Sequence, residues 1–344
     1  MFNKSCFFLL LLIFVFSSCS SGNNAFMDGA EIVYSDAPVI NVNIQGTLLD
    51  LPEEELLGVS MAIPLTDSTM VLTYFKQEYR FRYVNLKDRT FHPFLYVGRG
   101  PQEMMMSTVI GIQRRPDGKV SLWVYDMNTC DVNEIGINES VQAGAGIFLH
   151  TFKIPSNINR VFLYDKDLLC QSLMGENGFC YLLSGQDGSV KKRIEYLGEH
   201  DYSDDFRFFE SVDCLHPNGA YLALCMSHLD KINIIDLMRE GRDKTIVTDQ
   251  RVLRESDERL WQEYNRTFSR NDYYRTVRCS DKHIFTLYGA GDELRVFDWA
   301  GNYLCRAKLA EPMKEIYLDM ENSYILAVSK REQVFRYRIA DLQI

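Results

Sequence analysis

The chain has 344 residues, 46% of them hydrophobic and 24% charged, a balance that argues against a disordered or fibrous protein. Its length is about twice that of an ordinary domain, which leaves two domains or one large repeat domain. Lys and Arg number 37 against 47 Asp and Glu, and a net charge of −10 argues against nucleic-acid binding, which uses a basic excess to neutralise phosphate.

Residues 1–18 carry the grammar of a secretory signal: Lys4, an apolar run from Cys6 to Phe16, then the small residues Ser17 and Ser18. The run is about half the ~20 residues a membrane-spanning helix needs, and no later stretch reaches that length. Phe16-Ser17-Ser18-Cys19 resembles the lipobox of bacterial lipoproteins, with Phe16 where Leu is usual. The resemblance implies cleavage before Cys19 and lipidation of Cys19, palmitate included. Several acyl chains anchor a protein where one does not. Residues 19–30, with Ser20, Ser21, Gly22, Asn23 and Asn24, read as a flexible lipidated tether. No acidic run of the kind that marks surface export follows Cys19. The predicted address is therefore the cell envelope, lipid-anchored to a Gram-negative membrane and facing the periplasm rather than exposed at the surface.

Segment 31–44 is strand-like. From residue 70 onward, short apolar runs recur at 70–75, 120–125, 168–173, 221–226, 284–288 and 324–328. A second strand-like run follows each of them after a few polar residues. The pairs repeat with a period near 50 residues, with one long step of 62 and a short final step of 41. That period, with several strands per unit, specifies four-stranded propeller blades. Pro116-Asp117-Gly118 and Pro217-Asn218-Gly219 supply turns between first and second strands, and Asp187-Gly188 and Gly301-Asn302 between third and fourth. The predicted fold is all-β: a six-bladed β-propeller over 31–344, closed by an N-terminal strand. Segment 31–44 is expected to supply the outer strand that blade six lacks the sequence to make. Two β-sandwiches are the alternative, but sandwiches have no reason to keep this period. The long step contains 256–268, where Ser256 suits an N-cap and Leu260, Trp261, Tyr264 and Phe268 share one helical face, so a helix is inserted between two blades.

Seven cysteines remain after Cys6 and Cys19. Cys170 and Cys180, and likewise Cys214 and Cys225, flank turns out of register, and they read as small buried hydrophobes. No CxxC occurs and no His falls at ligand spacing with Cys, so no metal site and no cofactor is predicted.

Gly98-Arg99-Gly100-Pro101-Gln102-Glu103, Ile110-Gly111-Ile112, Pro116-Asp117-Gly118, Trp123-Val124-Tyr125-Asp126 and Asn128 resemble one repeat of NHL-type propellers. The first six of these residues resemble the glycine-rich step of TolB-like six-bladed propeller lipoproteins. The motif covers one blade, the others match in period alone, and Gln102 and Met104 stand where Gly and Phe are usual. The resemblance implies a lipid-anchored six-bladed propeller and carries over no catalytic residues.

Segment 98–103 either cradles an anion on glycine N–H groups and Arg99 or makes a tight crossing between blades. Asp126, Asp236 and Asp298 recur at blade positions, where they either line a channel that holds Ca²⁺ or cap turns. Connections 200–210 and 270–275 combine charge with aromatic residues. Arg and Tyr are enriched at binding hot spots, and connections on a rigid scaffold carry function. The predicted working face therefore bears 98–103, 200–207 and 270–274, with Arg99, Arg207, Tyr273 and Tyr274 as ligand contacts. No GxSxG, HExxH or Ser-His-Asp order is present. The predicted function is a non-catalytic, monomeric binding or scaffold protein for a protein or cell-envelope glycan partner. The alternative is a propeller hydrolase or lactonase with a channel metal.

Overall fold

Each of the six apolar runs becomes the second strand of an antiparallel sheet, and the polar gap after it becomes the turn into the third. A computed structural model describes residues 30–344 apart from 76, 157, 165–166, 173–178, 196–209, 250–251, 253–258, 260–261, 263–272, 320 and 322. Three short strands come first: β1 (Glu31–Tyr34), β2 (Ile40–Ile44) and β3 (Thr47–Leu48), then helix α1 (Glu53–Leu56). Blade one is β4 (Val59–Thr66), β5 (Thr69–Tyr74), β6 (Tyr79–Asn85) and β7 (Thr90–Tyr96). Blade two is β8 (Ser107–Arg114), β9 (Val120–Asp126), β10 (Asp131–Gly136) and β11 (Phe148–Lys153), with helix α2 (Ile137–Ala143) before its last strand. Blade three is β12 (Ile158–Tyr164), β13 (Asp167–Ser172), β14 (Phe179–Ser184) and β15 (Val190–Glu195). Blade four is β16 (Ser211–Leu215), β17 (Tyr221–Met226), β18 (Lys231–Asp236) and β19 (Lys244–Val247). Blade five is β20 (Tyr274–Cys279), β21 (His283–Tyr288), β22 (Glu293–Asp298) and β23 (Tyr303–Leu309). Blade six contributes β24 (Met313–Leu318), β25 (Tyr324–Ser329) and β26 (Val334–Arg338).

The apolar runs are continuous rather than alternating because neighbouring blades cover both faces of each sheet. Thus β9 and β25 are buried along their whole length. The core is correspondingly split into wedges. Each apolar cluster straddles one blade boundary, as where Ile63, Val71 and Phe94 of blade one meet Leu122, Val124 and Ile135 of blade two. The first strand of each blade is innermost, with β8 beside β12, β16 beside β20, and β24 beside β4. This all-β, six-bladed propeller agrees with the sequence expectation.

Closure differs from the expectation in its detail. Segment 31–44 is not the missing strand of blade six. Strand β1 pairs in parallel with β19 as a fifth strand of blade four, and β2 pairs in parallel with β23 as a fifth strand of blade five. Blade six is completed by β3, with Leu48 opposite Phe335 and Thr47 opposite Arg336. Pro38 gives the reason for the break, because it has no N–H to donate to a ladder and the chain leaves one sheet for the next. Gly46 makes the second step, since a Cβ there would overlap the Tyr337 ring. The N-terminal segment therefore straps the rims of blades four, five and six in turn.

Of the expected helix 256–268, Arg259 and Gln262 are helical and the remainder lies outside the described residues. The seven cysteines are unbridged thiols. Cys180 lies opposite Gln171 and Cys170 opposite Tyr181, so the two thiols point to opposite faces of their sheet.

Candidate functional site

With first strands innermost, the connections between blades and the turns between second and third strands share one face, termed the upper face. The other turns share the lower face. Segment 98–103 is the upper-face crossing from β7 to β8, and its nest is already occupied. Gly100 N–H donates to Glu103 Oε2 at 2.8 Å, and a Cβ on Gly98 would overlap that carboxylate. The glycines let the chain seat its own anion against the backbone. Arg99 is exposed beside this turn and lines a groove of about 520 Å³ together with Asp126, Asn128, Asp131 and Thr151.

The other expected contacts do not gather around this groove. Tyr273 enters blade five, across the ring from the boundary of blades one and two, packed edge-to-face on Tyr288 with ring centroids 5.9 Å apart. Tyr274 is 1% exposed and belongs to the wedge between blades four and five, so it is a core residue rather than a surface contact. Arg207, Cys19 and most of the 200–210 and 270–275 connections lie outside the described residues.

The three recurring aspartates are turn caps, and they do not occupy equivalent positions. Asp126 ends the second strand of blade two on the upper face, whereas Asp236 and Asp298 end third strands on the lower face. Asp126 accepts the Asn128 N–H at 2.9 Å. Asp236 accepts from the N–H groups of Met238, Arg239 and Gly241. Asp298 accepts the Asn302 N–H at 2.8 Å and its side-chain amide at 2.7 Å. Short carboxylates hold turns in this way.

Tyr274 leads to a buried ionic cluster that joins blades four and five. Its hydroxyl donates to Asp230 Oδ1 at 2.8 Å, and the Thr248 hydroxyl donates to Asp230 Oδ2 at 2.5 Å. Arg295 Nη1 stands 3.5 Å from Asp230 Oδ1, its guanidinium lies 3.1 Å from the Tyr288 ring centroid, and its Nε donates to Glu293 at 2.6 Å. Burial, then the Asp230 charge, pushes the Tyr274 hydroxyl well above the ordinary tyrosine value. Both oxygens of Asp230 are satisfied, and no cavity opens onto them among the described pockets.

At the axis lies a different arrangement, a cavity of about 400 Å³ walled by the innermost strands of all six blades. Arg160 of β12 places Nε 3.1 Å from Asp213 Oδ2 on β16. Arg278 of β20 places Nη2 3.0 Å from Glu315 Oε1 on β24, and its guanidinium lies 5.1 Å from the Tyr317 ring centroid. Glu315 also accepts the Thr276 hydroxyl. The Asp213 side chain has no exposed surface, yet neither carboxylate oxygen accepts a well-formed hydrogen bond, and buried Arg278 Nε also lacks one. Burial raises the Asp213 carboxyl above the usual range, and the Arg160 charge and then a contact from the Ser211 hydroxyl oppose that rise without cancelling it. Cys214 and Cys279 line the same wall. Burial, then contact with Cys279, pushes the Cys214 thiol well up, away from the thiolate that nucleophilic chemistry requires. No local signal marks this site in the sequence, because each inner strand contributes only a few residues, about a blade apart in the chain.

Among the described residues no three His, Cys, Asp or Glu side chains converge as a metal site, and no helix is long and apolar enough to cross a membrane. No protein-family model matches the chain, and no curated protein matches it in sequence. Solved structures do match in shape. Hydrazine synthase from Kuenenia stuttgartiensis is 12% identical, with 86% of this chain and 97% of that chain covered at a TM-score of 0.50. BamB from Moraxella catarrhalis is 12% identical over 80% and 83% of the two chains, with a TM-score of 0.43. Hsv2 from Kluyveromyces lactis is 8% identical over 88% and 74%, with a TM-score of 0.44. At these identities the likeness concerns the fold alone.

Proposed function

We propose that the protein is a lipid-anchored propeller of the cell envelope that docks a protein partner on its upper face and performs no covalent chemistry there. The observation that carries this reading is an apolar strip on blades one and two. Leu57 and Phe75 are 59% and 63% exposed on blade one, and Met106 and Met127 are 53% and 41% exposed on blade two. Within each half the backbone holds the two residues side by side. Phe75 N–H donates to Gly58 O at 2.9 Å, and Met127 N–H donates to Met106 O at 3.0 Å. Arg80 spans the boundary by donating to the carbonyls of Tyr74 and Met105. Methionine and aromatic side chains on a rigid rim suit an adaptable protein interface, and the groove bearing Arg99 borders them. A glycan partner would favour a more polar floor at this spot. The anchor rests on the sequence around Cys19, and a periplasm-facing position follows from the missing acidic run.

A hydrolase with a channel metal fits less well, because both channel carboxylates in the ion pairs are held by arginines. The test of docking is partner capture by in-cell crosslinking. Phe75→Glu, Met106→Glu and Arg99→Ala should each reduce capture, while Asn302→Ala and Asp187→Ala on the lower face should not. Equal capture by the two sets removes this face from consideration. Cys19→Ala should leave an uncleaved or soluble form in fractionation, and normal membrane association of that variant refutes the anchor. Elemental analysis of the purified protein checks the competing metal reading.

A further inference from the structure

We infer that the lower rim of blades three to five lies on an anionic lipid bilayer and turns the upper face away from it, an inference that deepens the lipid-anchor reading and rests on it. It begins where the chain enters the propeller. Ala30 packs on the wedge between blades three and four, against a cluster that includes Ile194 and Leu237. The next residue, Glu31, donates its N–H to Asp243 O at 2.8 Å, in the lower-face turn between β18 and β19. The 12 residues from Cys19 to Ala30 span at most about 40 Å even when fully extended. A domain of this size is about 50 Å across, so the anchor keeps this rim within reach of the lipid in every orientation. A short tether also gives a high local concentration of one surface at the other, so a weak contact suffices.

The rim carries exposed apolar side chains. Ile32, Val190 and Met238 are about half exposed, and Val39 is 79% exposed. Val190 begins β15 and Met238 follows β18, so both stand at third-to-fourth-strand turns of adjacent blades. Ile32 sits near the lower end of β1, which pairs in parallel with β19. Val39 sits at the lower end of blade five, where its N–H donates to Tyr303 O at 3.1 Å. Lys244 Nζ donates to Ala300 O at 3.3 Å and joins the rims of blades four and five.

Basic side chains surround these apolar ones. Segments 187–193 and 238–244 carry Lys191, Lys192, Arg193, Arg239, Arg242 and Lys244 against Asp187, Glu240 and Asp243, a net of +3 in a chain of net −10. The sign stays positive when Glu31 and Asp167 are added. Lys191 pairs with Asp167 at 2.6 Å and Arg239 with Asp243 at 3.0 Å. Lys192 and Arg242 are exposed and form no ion pair among the described residues. Anionic lipid attracts such side chains, and apolar ones among them enter the headgroup boundary. Position selects a bilayer over a protein partner, because the patch adjoins the point where the chain leaves for its anchor. The apolar strip of blades one and two lies on the opposite face and stays open to its partner.

The experiment is photo-crosslinking of the full-length protein, purified from membranes, to a diazirine phospholipid in vesicles of phosphatidylethanolamine and phosphatidylglycerol. Vesicles of phosphatidylcholine alone are the comparison, and labelled peptides are mapped by mass spectrometry. Label on 31–40, 187–193 and 238–244 should exceed that on 57–75 and 106–127 by about fivefold or more, the effect of one basic side chain at an anionic surface. It should fall in phosphatidylcholine. Lys192→Glu combined with Arg242→Glu should lower the rim label about fivefold or more at an unchanged melting temperature. Val39→Ser combined with Met238→Ser should also lower it and serves if the charged variant misfolds, while Phe75→Glu should leave it unchanged. The mass of the N-terminal peptide reports the anchor separately. An unmodified Cys19 overturns the anchor and the rim together. A lipidated Cys19 with label spread evenly, or centred on the upper face, overturns the rim alone, as does equal label in phosphatidylcholine or wild-type label in both double variants.

Discussion

Asp213 and Asp230 both belong to blade four and both are buried, yet their surroundings differ. Asp230 receives the hydroxyls of Tyr274 and Thr248, sits beside Arg295, and ties two blades together. Asp213 has the Arg160 guanidinium and a weaker contact from Ser211, and both of its carboxylate oxygens are sealed from solvent without a well-formed hydrogen bond. Burial is common to both and decides nothing. The completeness of the hydrogen-bond shell is what separates a structural lock from a buried charge held at a cost in stability.

The comparison is broken most severely by removing the lock. Asp230→Ala takes the acceptor from the buried Tyr274 and Thr248 hydroxyls and one of two carboxylates from Arg295, whose side chain is 8% exposed, and should destabilise by about 3–5 kcal/mol, read from the denaturant midpoint. A loss below about 1 kcal/mol would return the cluster to the class of marginal surface pairs. Tyr274→Phe removes one donor from the same carboxylate and should cost about 1–3 kcal/mol by thermal melting. Its effect should be smaller than that of Asp230→Ala.

Asp213 should behave in the opposite sense. Its folded-state carboxyl is raised, so the native state holds the proton more tightly than the unfolded chain. The cost of ionising it is absent below the unfolded value of 3.8 and appears as pH rises through the folded value. At pH 7 Asp213→Asn should therefore be as stable as the wild type or more so, with that advantage shrinking as the pH is lowered toward 3.8. Destabilisation beyond about 1 kcal/mol at pH 7 would place Asp213 among the locks.

Glu139 provides a surface reference. Its hydrogen bond from Arg115 at 2.7 Å is the main cause that lowers its carboxyl to about 2. The stabilisation is fully present above the ordinary value of 4.5 and is lost as pH falls toward about 2. Glu139→Gln should cost about 1–3 kcal/mol at neutral pH, and wild type and variant should converge in an acid titration. No convergence would show that Arg115 does not set the acid limb.

Much of the fold was legible because the second strands are buried on both faces along most of their length, which writes the period into the sequence as apolar runs such as 120–125 and 324–328. The role of 31–44 was less legible, because a strand added in parallel to a distant sheet edge has no local signature beyond Pro38 interrupting it. Tyr274 sits in a polar stretch that reads as loop. Its fate is decided by Asp230, a partner 44 residues away. Segment 98–103 offered a nest, but the anion that fills it, Glu103, is carried by the motif itself. The axial cavity could not be read at all, since Arg160, Asp213, Arg278 and Glu315 come from four different blades and meet only in the closed ring.

The strap has a consequence for the order of folding. Strands β1, β2 and β3 are made before any blade, and their partners β19, β23 and β26 come only with blades four, five and six. Contacts so distant in sequence are slow to form, because a long loop must close before they return anything. The partners emerge in the same order as the strands that await them, blade four before five and five before six. Docking can therefore advance around the rim as synthesis proceeds, and until β3 meets Phe335 the ring keeps one unpaired edge open to association with other chains.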